Sequence, residues 1–390
     1  MTTPRVSEPQ PGPARDVAAA VAELAGAQSW AELGALLLAR ADELRAARRA
    51  PELAAWIALI PPALRGPRLS LALARCLADQ GAYDPAVLAL DGSLADPALD
   101  PAAARELALC KAGLEQVRGE YASADALVLP YLADPSAPPL DRARALRIHG
   151  IGLVFQGADD RALLALEQAA ALARAGGPSR LLGLALHDFG NAAARLGRYL
   201  LAERTLRLAQ EVWTQLGAPP DLASTLGLRA LVALNAGRPG EARDLAQSAF
   251  DLALSHGRGR EIAGALAVQG EIAAAAQDWP AARRCFEQAE VECQRAGVIE
   301  GGALCFALAM QSLIARQLAD LRRLGELLPL LAAAQPATPL ERAWIAAGQA
   351  AARMSLGVAG AAEALDEAAC LGAGPMLASG MLLILRAQAS

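Results

Sequence analysis

One interval governs this chain. With LGRYLLAERTLRLA (Leu196 to Ala209) as template, a turn residue recurs at Gly81, Gly119, Gly157, Gly197, Gly237, Gln277, Gln317 and Gly357, in steps of 38 or 40 residues. Two residues after each turn stand Tyr83, Tyr121, Asp159, Tyr199, Pro239, Trp279, Ala319 and Ala359. Five residues after it stand Ala86, Ala124, Ala162, Ala202, Ala242, Ala282, Arg322 and Ala362. A small residue also falls seven before the turn, at Ala74, Ala112, Gly150, Gly190, Ala230, Gly270 and Ala350, with Met310 breaking the series. A period of this length marks stacked supersecondary units that bury a shared core, not one globular core.

Each position has a physical reason. Glycine ends a helix cheaply because it enters the left-handed region without a Cβ penalty. Small residues on both sides of the turn let two helices approach closely. The aromatic residue after the turn packs over their crossing. Apolar residues make up 54% of the chain but aromatics only 4%, and the bulk is Ala and Leu, strong helix formers. Sparse β-branched residues disfavour sheet. Each unit therefore reads as helix A, a short turn and helix B. Longer connectors such as ADPSAPPLD and LGAPPD lead to the next unit.

The segments GNAAARLGRYLLAERTL and GEIAAAAQDWPAARRCF resemble the tetratricopeptide repeat, with units a few residues longer than that family's usual length. The fold expected is all-α, a right-handed superhelical solenoid of tetratricopeptide-like helix pairs. Residues 1–15, rich in Pro and polar side chains, are expected to be flexible. Residues 16–390 should form one array, with turns near 48, 81, 119, 157, 197, 237, 277, 317 and 357 and a capping helix over 375–390. The unit turning near Gln317 matches the pattern least and should pack irregularly. The stretch from Trp56 through Pro61, Pro62, Pro67, Arg68 and Leu69 resembles the entry to the helical-repeat sensor region of MalT-like transcriptional activators. That resemblance implies a sensor or docking region alone. The phosphate-binding loop needs a lysine after glycine, and the single lysine, Lys111, lies in LCKAGL.

Catalytic chemistry is not written into this sequence. His149, His187 and His256 lie in different units with no second ligand at metal spacing. No nucleophile elbow and no paired Cys–His arrangement occurs, so neither a cofactor nor a metal is expected and the chain does not read as an enzyme. The six cysteines form no C-x-x-C pair and read as small buried hydrophobes. A net charge of −5 argues against direct nucleic-acid binding, which needs clustered positive charge. Charged residues interrupt every apolar run, so no membrane span is expected. The lead-in has no apolar core of the secretory kind, and a cytoplasmic location follows.

What remains is the inner wall of the stack. The resemblance implies that the residues ten and six before each turn point into the groove. In the unit turning at Gly197 these are His187 and Asn191, with Arg195 one helical turn further on and a drift of about 40° per step. Arg147 is the counterpart of His187, Arg144 lies one turn earlier, and Glu271 and Gln311 are counterparts of Asn191. Arg144, Arg147, His187, Asn191 and Arg195 are the candidate ligand-binding patch. Arginine offers bidentate donors, and asparagine both donates and accepts. The same residues also suit purely structural bonds between neighbouring helices. The two-carboxylate clamp of chaperone-binding repeats is not reproduced, since Ile151, Ser224 and Leu228 occupy its places. Five phenylalanines, Phe155, Phe189, Phe250, Phe286 and Phe306, read as core, and Trp344 as a groove residue of the last full unit. The expected function is a regulatory scaffold gripping a protein or peptide partner. A MalT-like sensor of a small effector in transcriptional control is the alternative.

Overall fold

The computed structural model describes residues 13–47, 49–156, 159–256, 259–295, 302–336 and 339–371. All regular structure among the described residues is helical. The chain divides into two compact units, residues 1–114 and 115–390.

The first unit holds α1 (Pro13–Gly26), α2 (Trp30–Ala46), α3 (Ala50–Leu59), α4 (Pro67–Asp79), α5 (Tyr83–Leu94) and most of α6 (Pro101–Val117). Helix α1 begins inside the stretch expected to be flexible, whose first twelve residues lie outside the described set. Leu33, Leu37, Leu53, Ile57 and Ile60 are fully enclosed and form the core of this unit. After α3 the chain makes a short 3-10 turn at Pro62–Leu64 before Pro67 opens α4. Proline suits that first helical position because its missing N–H would have no partner there anyway. Trp56 is partly buried, with the Arg49 guanidinium 5.4 Å from its ring centre.

The second unit repeats one motif. It contains α7 (Tyr121–Ala133) and then six A–B pairs: α8 (Pro139–Phe155) with α9 (Asp159–Arg174), α10 (Arg180–Arg195) with α11 (Tyr199–Leu216), α12 (Pro219–Asn235) with α13 (Pro239–Ser255), α14 (Gly259–Ala275) with α15 (Trp279–Arg295), α16 (Gly302–Gln317) with α17 (Leu321–Ala333), and α18 (Pro339–Leu356) with α19 (Ala361–Leu371). Successive A helices pack on one another from α8 to α18, with no comparable packing between successive B helices. The A helices therefore line the inner side of this unit.

The small positions do what their spacing implies. A Cβ added at Gly150 would lie 2.7 Å from the Leu166 side chain; at Gly190 it would lie 2.5 Å from Leu206, and at Gly270 2.7 Å from Phe286. Helices A and B thus interlock a glycine with a large apolar residue of the partner, and no side chain fits between them. Ala86, Ala162, Ala202, Ala242 and Ala282 are fully buried on the opposing face.

The turn is left-handed at Gly81, Gly119, Gly197, Gly237 and Gly357, with φ between +66° and +80°. Gly157 lies outside the described residues. Gln277 adopts the same conformation at φ 60°, at a steric cost that glycine avoids. In the next unit the left-handed residue is Ala319, φ 52°, two residues beyond the expected Gln317. That slip restores the pattern. Ser312, seven before Ala319, is fully buried and small, so Met310 does not interrupt the series. Leu324 is the buried residue on helix B, and Arg322, read as its counterpart, is exposed. This pair does pack irregularly: α17 is short and carries Pro329 in its interior, and α16 packs more extensively on α18 than on α17. In the last pair a second left-handed glycine, Gly360, delays α19, and Ala364 takes the buried place read at Ala362, which is exposed.

The cysteines are only partly core. Cys76, Cys293 and Cys305 are buried, Cys110 and Cys285 half-buried, and Cys370 exposed. The capping helix expected over 375–390 and the turn near 48 lie outside the described residues. Among the described residues no helix is long and apolar enough to cross a membrane.

Candidate functional site

On the inner face, the predicted patch separates into residues already engaged and residues left open. Arg147 on α8 reaches Asp188 on α10, Nη1 to Oδ2 at 2.5 Å. His187 on α10 lies 3.0 Å from the Thr225 hydroxyl on α12. That hydroxyl also accepts the indole N–H of Trp213 at 3.0 Å and donates its own proton to the Asp221 carbonyl at 2.9 Å. Its one proton is therefore used, and Nδ1 of His187 must be the donor. No described residue bonds its Nε2. Burial lowers the His187 pKa, against the opposing pull of Asp188 and Asp221, so the ring is neutral at pH 7. Arg144 is exposed, 3.7 Å from Asp141 one turn earlier. Arg147 and His187 thus tie neighbouring A helices together.

Thr225 holds three bonds across α10, α11 and α12, and this predicts the effect of removing it. Thr225→Val should destabilise the second unit by about 1–3 kcal/mol, since the buried Trp213 N–H loses its acceptor. Urea unfolding checks this, with Ser at 225 expected to restore most of the loss.

Asn191 and Arg195 differ from the others. Asn191 is half-buried and makes no hydrogen bond to another described residue. The Arg195 guanidinium sits 5.0 Å from the ring centre of Phe155 on α8. Phe155 in turn stacks on Tyr121 of α7, centroids 4.7 Å apart and planes 11° from parallel. Cation–π contact of this kind stabilises a guanidinium without neutralising it. No described carboxylate pairs with Arg195, and burial lowers its pKa, with Tyr121 opposing. Burial likewise raises the Tyr121 pKa. Phe155, read as core, is instead 37% exposed and supports Arg195. Arg283 and Arg323, also partly buried, do have acidic partners, Asp320 and Glu290, whereas Arg353 bonds the Gly360 carbonyl.

A second set of polar residues escaped the sequence reading. Eight residues before the turn, the A helix carries a polar side chain that reaches back to the preceding B helix. His149 meets Asp125 at 2.8 Å, Arg229 meets Glu203 at 2.7 Å, Gln269 meets Gln247 at 3.1 Å, Gln311 meets Glu290 at 2.8 Å, and Gln349 meets the Leu331 carbonyl at 3.1 Å. In the second unit Phe189 is the exception and packs with Leu163 and Leu166. Gln311 therefore belongs to this set and is not the counterpart of Asn191; the slip to Ala319 moves it. The column of polar residues was visible in the sequence, but Gln311 was displaced from it by the wrong turn. Glu203 also accepts from Arg207 at 2.7 Å, the helical pair expected from spacing. Burial pushes its carboxyl up, but the bonds from Arg207 and Arg229 outweigh that and hold it below the usual range.

Trp344 is half-buried and leans on Phe306, centroids 4.8 Å apart, and Phe306 meets Phe286 edge-on at 5.9 Å. It is part of an aromatic chain joining α15, α16 and α18. Glu271 is the true counterpart of Asn191 in the α14 unit. It is only 6% exposed, and its Oε2 has no partner. Burial alone pushes its pKa up to about 8. Among the described residues no cluster of three His, Cys, Asp or Glu side chains could hold a metal.

Residues 181–255, spanning α10 to α13, match the tetratricopeptide repeat family. No curated protein matches the chain. Among solved structures, a Rap protein complexed with competence and sporulation factor superposes over 92% of this chain and 99% of its own, with TM-score 0.54 and 14% identity. The Cut9–Hcn1 assembly of the APC/C superposes over 90% of this chain and 62% of that one, with TM-score 0.55 and 15% identity. A signal-transduction ATPase with a tetratricopeptide repeat sensor from Pyrococcus horikoshii aligns less closely, over 73% of this chain and 44% of that one, with TM-score 0.47 and 13% identity. The chain has the architecture of a tetratricopeptide-type solenoid, a helical-repeat scaffold whose inner surface is the usual place of partner contact.

Proposed function

We propose that this tetratricopeptide-type scaffold docks an extended protein or peptide segment along the inner face of its A helices, in a regulatory role, and holds a carboxylate of that segment at Arg195 and Asn191. The observation that carries this reading is the unpaired guanidinium of Arg195. It is fixed by the Phe155–Tyr121 stack and has no described carboxylate of its own. A half-buried cation of this kind gains most from an anion that arrives with the ligand, because charge-assisted bonds are stronger where water is scarce. Asn191, one turn away, supplies both a donor and an acceptor suited to a peptide backbone. Arg147 and His187 support the site from behind by keeping α8, α10 and α12 in register. The Rap protein superposes over most of the chain and was solved with a factor bound, which fits an inner surface used for ligands.

The test is selection from a random peptide library with free carboxyl termini, followed by titration of an enriched peptide. Converting the gripped carboxylate to its amide, or Arg195→Ala, should weaken binding by about tenfold or more, roughly the worth of one desolvated charge-assisted contact. Asn191→Ala should cost several-fold. Helicity should be unchanged in both variants. Equal affinity for acid and amide, or no enrichment over an unrelated helical repeat, would overturn the reading. Stabilisation by small carboxylates with no peptide selected would favour the effector sensor instead.

A further inference from the structure

Glu271 lies two A helices further along the same face. It is almost fully enclosed and makes no hydrogen bond or ion pair with any described residue. Its surroundings are apolar. Val268 and Ile272 on either side of it pack with Leu231 and Leu234 of α12 and Leu245 of α13, while Ala267 and Ala274 belong to the cluster with Leu313 of α16 and Phe286 of α15. No charged group of α12, α13, α15 or α16 contributes to its titration. A carboxyl enclosed without a partner is costly; at Arg147 and His187 the chain supplies one from the next A helix. The position is six before the turn, the register of Asn191.

We infer that Glu271 is the cation-binding pole of the groove, and that it receives an ammonium or guanidinium from the docked segment. The inference rests on the docking reading above and adds the second anchor and the direction of the segment. Helix α12 stands between α10 and α14, and packed helices lie about 8–10 Å apart. The two poles are therefore about 20 Å apart. An extended chain advances about 3.3–3.6 Å per residue, so the cationic side chain belongs about five or six residues from the carboxylate held at Arg195. When the cation arrives, the carboxylic O–H of Glu271 breaks and its proton leaves to solvent. The carboxylate formed then accepts the N–H donors of the ligand. Binding at pH 7 is therefore coupled to release of one proton.

The probes are eight-residue alanine–glutamine peptides with a free carboxyl end and one lysine, moved position by position. Each is titrated calorimetrically at pH 7 in phosphate and in Tris, whose ionisation heats differ. The expected result is an affinity optimum with lysine about five or six residues from the carboxyl end. Exchanging that lysine for norleucine should cost about tenfold, Glu271→Gln should cost the same, and the two together should cost no more than either. The buffer-dependent heat should vanish in Glu271→Gln. The loss on amidating the carboxyl end should persist in that variant, because it belongs to Arg195. If amidation weakens binding but the norleucine exchange does not, or costs the same with Gln at 271, the cation pole is overturned and the docking reading stands. If no peptide of the series binds, both fall.

Discussion

Glu271→Gln is expected to stabilise the second unit, by roughly 3 kcal/mol at pH 7. The folded carboxyl titrates near 8, whereas an ordinary glutamate titrates near 4.5. Between those values the folded protein keeps a proton that the unfolded chain has released. Stability therefore falls as pH rises from about 4.5 to 8 and is level above that. Each unit of pKa difference corresponds to about 1.4 kcal/mol, which sets the size of the gain. Glutamine has the shape of the neutral acid and nothing to ionise, so its unfolding free energy should lack this slope. Urea unfolding of the two proteins from pH 5 to pH 9 should give curves that approach one another at the acid end and separate towards pH 8. Coincident curves at pH 8 would mean that Glu271 is hydrated and ionised. A stabilised Gln variant that has also lost affinity for lysine-bearing peptides would show why the enclosed acid is kept: binding sites often hold groups that the fold alone would not choose.

The second large effect is expected at Trp213. Its side chain is 1% exposed, in a cluster built by α8, α9, α10 and α11 with Leu222 of α12 against it. Trp213→Ala should cost about 3–5 kcal/mol, the usual range for emptying so large an aromatic site. Gly183 lies directly beneath the ring, where an added Cβ would stand 2.5 Å from the indole. Gly183→Ala alone should therefore cost about 1–3 kcal/mol through overpacking. The double variant should be less destabilised than the two losses added together, because the methyl group enters space that the indole has left. Strict additivity in that cycle would show that glycine and indole are not in contact. The same interlock recurs at Gly150, Gly190 and Gly270, so the cycle probes a rule of the whole stack.

How far the sequence could be read depended on the range of the interaction involved. Helices, turns and the glycine–large contacts depend on neighbours within one unit, and among the described residues they appear at the expected places at Gly81, Gly119, Gly197, Gly237 and Gln277. The slip at Ala319 shows the limit. Gln317 kept the even spacing, and nothing local marks alanine as a left-handed residue. Only the need to bury Ser312, Leu324 and Leu327 moves the turn by two positions. The polar patch shows the same limit. Arg147, His187, Asn191 and Arg195 are equally polar in the sequence, yet two of them are engaged with the next A helix and two are open. Asp188 and Thr225, the partners that decide this, stand about forty residues away in the chain, one unit on.

The sequence by itself determined that helix pairs recur at a near-constant interval, because a period of helix, turn and small residue follows from local propensity and from the close approach of adjacent segments. Tertiary structure alone decided which polar groups are left unmatched. A hydrogen bond between units depends on the register of separate helices, and no pattern within one helix records it. That is why Arg195 without an anion and Glu271 without a cation emerge only once the stack is assembled.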